Sequence, residues 1–253
     1  VKQNNKVMDF GKRVIVGVKG TKGSGKDTVA DMIRYIMSAG TTQASYDNYI
    51  WFTKNRDREL DVPILHFADK IKDDLSELLD INRECFDTHE YKDSKYYLFQ
   101  NKSFVTSKEQ IENPRHEITL DDLKENTLAN WRESFNDNCV IKLRTLMQYY
   151  GTEVMRNHIG KEVWVNSTIN KAIRHRDYYG FAIIADVRFV NEWQAVRNVG
   201  GKIVHVVRGR LEDKVEHSSE YITSSSSDYE IENNGNLMGL FYKVLEFVKE
   251  EMV

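Results

Sequence analysis

The run Gly20-Thr21-Lys22-Gly23-Ser24-Gly25-Lys26-Asp27-Thr28 carries the clearest chemical signal in the chain. It matches the pattern G-x-x-x-x-G-K, with the closing hydroxyl one place late. Glycines at these spacings let backbone amides turn inward and approach phosphate oxygens. A helix starting directly afterwards adds partial positive charge at the same spot. Lys26 then reaches the outer phosphates of a triphosphate. The expected nucleotide contacts are therefore Lys22, Gly23, Ser24, Gly25, Lys26, Asp27 and Thr28. A tight glycine turn with a surface lysine is the plain alternative, and the strand before the motif and the helix after it argue against that.

A triphosphate that reacts with another anion needs further fixed positive charge, and arginine grips phosphate with a planar fork. Two clusters qualify. In Asp186-Val-Arg188-Phe-Val-Asn-Glu192, a carboxylate follows an apolar run, as in a Walker B aspartate. That places it at the carboxyl end of a strand, where open α/β sheets bind ligands. Asp186 would place a metal or the acceptor, and Arg188 would bind phosphate. Glu192, four residues on, would hold the arginine. A surface salt-bridge cluster at a helix start is the alternative. The second cluster runs from Arg144 to Arg156. A spacing of four puts Arg144, Gln148 and Thr152 on one helix face, suited to a phosphate and a base edge. An ordinary amphipathic helix fits the same pattern. Trp164 could stack on a base or belong to a core, and Lys72 could bind phosphate or be a solvated lysine. His217-Ser-Ser-Glu220 could form a closing loop with Arg208 and Arg210, or a polar surface loop.

The elements that would hold these groups are legible in outline. Arg13–Lys19 reads as a buried strand, rich in valine as parallel sheets are. The helix after the cradle carries Val29, Met32, Ile33, Ile36 and Met37 along one face and stops at Gly40. Residues 62–67, 181–185, 202–207 and 229–233 read as further strands, with Asp186 just beyond the third. Helices are expected over 70–79, 144–150, 191–198 and after an N-cap at Asn236. Gly151 would close the second of these as a C-terminal glycine. A more polar stretch, about 87–139, reads as an insertion with a hairpin around 96–106 and small helices near 120–135. Strands alternating with helices predict an α/β, doubly wound parallel sheet of five strands in one domain. Its core would span about 12–86 and 140–253 of residues 1–253.

Composition narrows the class. The chain has 253 residues, 40% of them hydrophobic, enough for one sizeable core. A net charge of -3 gives no global signal for nucleic-acid binding. No apolar run is long enough for a membrane, and the polar residues 1–10 lack the apolar segment of a signal peptide. Two cysteines, Cys85 and Cys139, fit a reduced cytoplasmic setting without a disulfide framework.

The cradle, Phe67-Ala-Asp with Lys72, Arg144 to Arg156, Asp186 to Glu192 and His217 to Glu220 occur together and in order. The set resembles the phage-type deoxynucleoside monophosphate kinases, P-loop proteins, over nearly the whole chain. The resemblance implies an adenylate-kinase-like core with strand order 2-3-1-4-5, ATP with Mg²⁺ as donor, and a dNMP as acceptor. With the hydroxyl one place late, Thr28 would hold the α-phosphate. Asp27 would orient Mg²⁺ through water, or serve as a first-turn carboxylate favoured by the helix dipole. The resemblance implies that Arg144, Gln148, Gly151, Thr152 and Trp164 contact the deoxynucleotide. It implies roles near the phosphates for Asp186, Arg188 and Glu192. Lys72 joins the acceptor set, and Lys26, Arg188, Asp186 and Arg144 form the catalytic set. Homodimers that feed viral DNA synthesis in the host cytoplasm are the implied setting. Phosphomevalonate and dephospho-coenzyme A kinases use similar cradles and remain rivals. A nucleotide-dependent switch of the guanine-reading kind would need Asn-Lys-x-Asp, a tetrad this sequence lacks.

Overall fold

The computed structural model describes residues 13–55, 62–98, 103–106, 116–125, 139–209 and 227–253. The expected lead-in at residues 1–10, the 217–220 loop, Arg210 and most of the 120–135 helical stretch lie outside them. Along the chain the strands are β1 (Val14–Lys19), β2 (Ile64–His66), β3 (Tyr96–Leu98), β4 (Ser103–Val105), β5 (His116–Glu117), β6 (Cys139–Ile141), β7 (Phe181–Val187), β8 (Lys202–Val207) and β9 (Tyr229–Glu232). The helices are α1 (Lys26–Ala39), α2 (Tyr46–Lys54), α3 (Asp69–Leu79), α4 (Leu120–Glu125), α5 (Leu143–Gln148), α6 (Val163–Tyr179), α7 (Val190–Asn198) and α8 (Leu237–Glu251). A wide-turned π-helical stretch, Tyr149–Arg156, continues directly from α5.

The chain divides into two compact units, one up to Phe67 and from Val165 onward, the other Ala68–Trp164. The boundaries expected from polarity, 87 and 139, fall inside the second unit, which also takes α3 and the helical residues 143–156.

In the first unit the sheet order is β2-β7-β1-β8-β9, and every pairing is parallel. Parallel sheets need cover on both faces, and β1 supplies it by alternation. Val14, Val16 and Val18 join the core formed with α1, α2 and α8. Ile15 joins the opposite core, with Val165, Ile169 and Ala172 of α6 and Val196 of α7. Lys19, the last residue of β1, lies on that second face and is only 1% exposed. Its register partner is His205, whose own partner is Glu230, so three titratable groups form a row across the strand ends. Burial pulls the Lys19 amine down to about 8, and the nearby Arg197 guanidinium adds to the effect.

One strand end departs from the sequence expectation. β7 continues past Ala185 to Val187, and Asp186 sits inside it. Gly17 pairs with Ile184 and Lys19 with Val187, so Val18 faces two residues, as in a β-bulge. Asp186 takes φ 66°, a left-handed conformation that aspartate tolerates better than most residues.

In the second unit, β4-β3-β6-β5 form a small sheet. β3 and β4 make the expected hairpin, and β6 flanks β3 antiparallel. Phe86, Tyr97, Ile141 and Leu143 fill the core of this unit. Gly151 does not close a helix, contrary to expectation, because the turns run on through Arg156. A Cβ there would stand 2.9 Å from Ile71 Cδ1, so a larger residue would make that side-chain end shift.

Candidate active site

The cradle forms where β1 hands over to α1. Gly23 and Gly25 take φ 82° and 94°, conformations that only glycine reaches without strain. Gly25 is the N-cap of α1 and offers no side-chain acceptor to the first-turn amides. Such amides are the usual partners of a bound phosphate. Among the described residues the buried Ser24 hydroxyl has no hydrogen-bond partner, which leaves a donor for an incoming oxygen. Asp27 is exposed on the first turn of α1. Lys22 is exposed at the loop's outer side, and Thr28 is half-buried one residue past Asp27.

Two residues hold the cradle from behind: Asn233, which the sequence does not single out, and Arg208, expected to reach the phosphates beside a closing loop. Asn233, just after β9, donates from Nδ2 to the Ser24 carbonyl at 2.8 Å. The same Nδ2 would lie 2.4 Å from a Cβ at Gly25, so a larger residue there would push this brace aside as well as strain φ. Arg208, just after β8, donates to the Gly23 carbonyl at 3.4 Å. A carbonyl held outward by such donors leaves the neighbouring amides turned inward. No local sequence signal marks these pairs, since each joins positions 209 or 185 residues apart.

Lys26 sets its ammonium 3.5 Å from the Asp186 carboxylate. Arg188 grips the same carboxylate with both arms of its fork, at 2.9 and 2.6 Å. The bulge and the left-handed backbone at Asp186 therefore present one carboxylate to both cations. Glu192 is 3% exposed, and its carboxylate accepts the backbone N–H groups of Arg188 at 2.7 Å and Phe189 at 3.0 Å. This is the reach-back of an N3 carboxylate to a helix start, and it fixes the backbone from which Arg188 projects. Arg188 itself is exposed.

The remaining expected residues belong to the second unit. Lys72 pairs with Asp87 at 2.7 Å. Arg83 ties Asp87, Asp73 and Asp69 together at 2.5, 2.7 and 3.4 Å. Burial pushes the Asp87 carboxyl up, but hydrogen bonds from Arg83 and Lys72 outweigh it and hold it below its ordinary value. Arg144, Gln148 and Thr152 are all exposed along one face, as the spacing of four predicts. Arg144 forms a two-armed pair with Asp93, one arm at 2.9 Å. Hydrogen bonding from Arg144 holds the Asp93 carboxyl below the usual range. Trp164 is 2% exposed, and its indole N–H donates to the Gly151 carbonyl at 2.8 Å. Its ring lies in the core, 5.9 Å from that of Tyr150. What it does directly is hold Gly151, rather than offer an open stacking face.

The family described as deoxynucleotide monophosphate kinase matches the chain over residues 14–244. A deoxynucleotide monophosphate kinase of Escherichia phage RB69 is 31% identical over 124 residues, which are 47% of this chain and 50% of that protein. One of Enterobacteria phage T4 is 29% identical over 109 residues, 42% of this chain and 45% of that protein. The chain thus spans about half the length of the curated relatives it matches. With the family match reaching from β1 to α8, the chain belongs to the deoxynucleotide monophosphate kinase family.

Proposed function

We propose that this protein transfers the γ-phosphoryl group of ATP to a deoxynucleoside monophosphate, giving the diphosphate used in viral DNA synthesis. The observation that carries the reading is Lys26 and Arg188 converging on Asp186 directly beside the cradle. The parallel sheet, with the cradle at the end of its central strand, suits an adenylate-kinase-like P-loop fold.

The amides of Gly23 to Thr28 and the Ser24 hydroxyl would take the phosphate oxygens of ATP, with Thr28 at the α-phosphate. Lys26 would follow the charge on the outer phosphates. Arg188, released from Asp186 by a better anion, would grip the transferring or accepting phosphate with the same fork. The cradle fits a magnesium nucleotide, since Asp27 is exposed beside it and would hold the ion through water. When bound, Mg²⁺ supplies positive charge to the phosphate oxygens. The acceptor needs no strong general base, because a phosphate monoester's second pKa is about 6 and its oxygen is already anionic at neutral pH. Positioning and charge stabilisation then account for the rate.

On the acceptor side, Arg144, Gln148, Thr152 and Lys72 would contact the deoxynucleotide, with Trp164 holding Gly151 in place. The same reading carries with it a homodimer acting on small molecules rather than nucleic acid in the host cytoplasm. No helix among the described residues is long and apolar enough to cross a membrane.

The test is a panel of the four dNMPs, their ribo-forms, phosphomevalonate and dephospho-coenzyme A, each with γ-labelled ATP. Labelled dNDP and acceptor-dependent ADP release are expected. ADP release indifferent to the acceptor, or label found only in a non-nucleotide, would refute the assignment.

A further inference from the structure

The two strand ends that brace the cradle are themselves tied to each other. β8 and β9 run parallel, with Val207 opposite Glu232. In a parallel ladder a residue donates its N–H to the carbonyl before its partner and accepts from the N–H after it. Continuing this register would join Arg208 and Asn233. The first bond of that rung is present: the Asn233 N–H donates to the Val207 carbonyl at 2.7 Å. The second is made by a side chain. The Gly209 N–H donates to Oδ1 of Asn234 at 2.6 Å. Gly209 takes φ 66°, a left-handed conformation that ends the strand.

Arg208 is thus pinned on both sides, by a bonded carbonyl before it and a bonded amide after it. The end of β8 lies against the cradle, since a Cβ on Gly20 would stand 2.8 Å from the Val206 carbonyl. From there Arg208 reaches the Gly23 carbonyl at 3.4 Å, a long hydrogen bond that a stronger acceptor would outcompete. Its electrostatic setting differs from that of the neighbouring cations. Lys26 and Arg188 share the Asp186 carboxylate. Among the described residues no carboxylate pairs with Arg208, which is exposed. A guanidinium held beside the cradle without a described counter-charge is suited to phosphate oxygens.

We propose that Asn234 is a positioning residue for the donor nucleotide: it replaces a backbone rung, fixes the main chain beneath Arg208, and so holds that guanidinium where it meets the phosphates of a nucleoside triphosphate. Asn233 and Asn234 then serve different partners. Asn233 Nδ2 sets the loop through the Ser24 carbonyl, and Asn234 Oδ1 sets the arginine. The proposal rests on the cradle binding a triphosphate, as the kinase reading holds, and adds a residue that itself touches no substrate.

The experiment measures dissociation constants for ATP and for inorganic tripolyphosphate by calorimetry, with KM for ATP and for dNMP. The proteins are the wild type, Asn234→Ala, Asn234→Asp, Arg208→Ala and the double variant of Asn234→Ala with Arg208→Ala. Arg208→Ala should weaken ATP binding about tenfold, the order of one charge-assisted hydrogen bond. Asn234→Ala should weaken it about fivefold, and tripolyphosphate by the same factor, because the loss lies in the phosphate contact. KM for dNMP should stay within about twofold. Asn234→Asp keeps the accepting oxygen and should bind ATP within about twofold of the wild type. In the double variant the two losses should not add, since Asn234 acts through Arg208. Additive losses, unchanged affinity in folded Asn234→Ala, or weaker ATP with unchanged tripolyphosphate each overturns the proposal. Thermal unfolding controls for folding. If Asn234→Ala does not fold, Arg208→Ala, at an exposed position, carries the test, and unaltered affinity for ATP and tripolyphosphate refutes it. Failure of the kinase reading looks different: no dNMP is phosphorylated although ATP binds, and the titrations still decide the role of Asn234. A wild type that binds neither ATP nor tripolyphosphate refutes both.

Discussion

The two units hold their charged groups by different means. In the sheet unit, backbone geometry fixes them. Asp186 is aimed by a bulge and a left-handed φ, the backbone beneath Arg188 is fastened by the buried Glu192, and the cradle's carbonyls are braced by Asn233 and Arg208. In the Ala68–Trp164 unit, each candidate cation is matched by a neighbouring carboxylate: Lys72 by Asp87, Arg144 by Asp93. Each pair keeps one partner half exposed, Asp87 and Arg144, so an incoming phosphate would be able to compete for the cation. On the proposed kinase reading, backbone constraints pre-aim the groups of the sheet unit, while in both units the cations rest on carboxylates, Asp186 for Lys26 and Arg188, until an anion replaces them.

Substitutions can break or sharpen that contrast. Arg188→Ala removes the fork from the pre-set end, and kcat should fall about 1,000-fold, in the range of losing a group that meets charge in the transition state. The unfolding midpoint should barely move, because Arg188 is exposed; near-wild-type turnover would take it out of the mechanism. Asn233→Ala touches no substrate in this scheme. It should raise KM for ATP up to about tenfold, as expected for up to about 1.4 kcal/mol lost from one partly buried hydrogen bond, and leave KM for the acceptor alone. Equal effects on both substrates would mean that the brace serves general stability. Asp93→Asn tests the other end and should have the smallest effect. With its competitor weakened, Arg144 should bind dNMP up to about fivefold more tightly. A weaker KM for dNMP would show that Asp93 positions the arginine instead of masking it.

What the sequence disclosed follows the range of each signal. The cradle and the five strands of the large sheet were legible because glycine spacing and apolar runs are local. Helix α6 was missed, although Trp164, Val165, Thr168, Ile169 and Ala172 are buried at helical spacing that a systematic count would find. Helix α2 was missed as well, because its sequence, Tyr46–Lys54, buries only Tyr49 and shows a weak periodicity. Gly151 was read as a stop, because the turns run on through Arg156 and its neighbours Ile71 and Trp164 come from other elements. The bulge at Asp186 and the Asn233 brace depend on register and on distant strands, which local patterns do not encode. Trp164 had two readings on sequence, and its indole N–H bond to Gly151 settles which neighbour it serves in this structure.

The buried lysine at the end of β1 has a consequence for the whole molecule. Lys19 binds its proton less tightly in the native chain, with a value about 8, than in the unfolded one, where it returns to 10.5. Between those values the unfolded chain holds the extra proton, so alkali favours the native form, and below about pH 8 the penalty for burying the charge is present in full. This protein thus carries at neutral pH a handicap that mild base removes, in contrast to the acid-side losses that paired carboxylates such as Asp93 bring as pH falls through their depressed range.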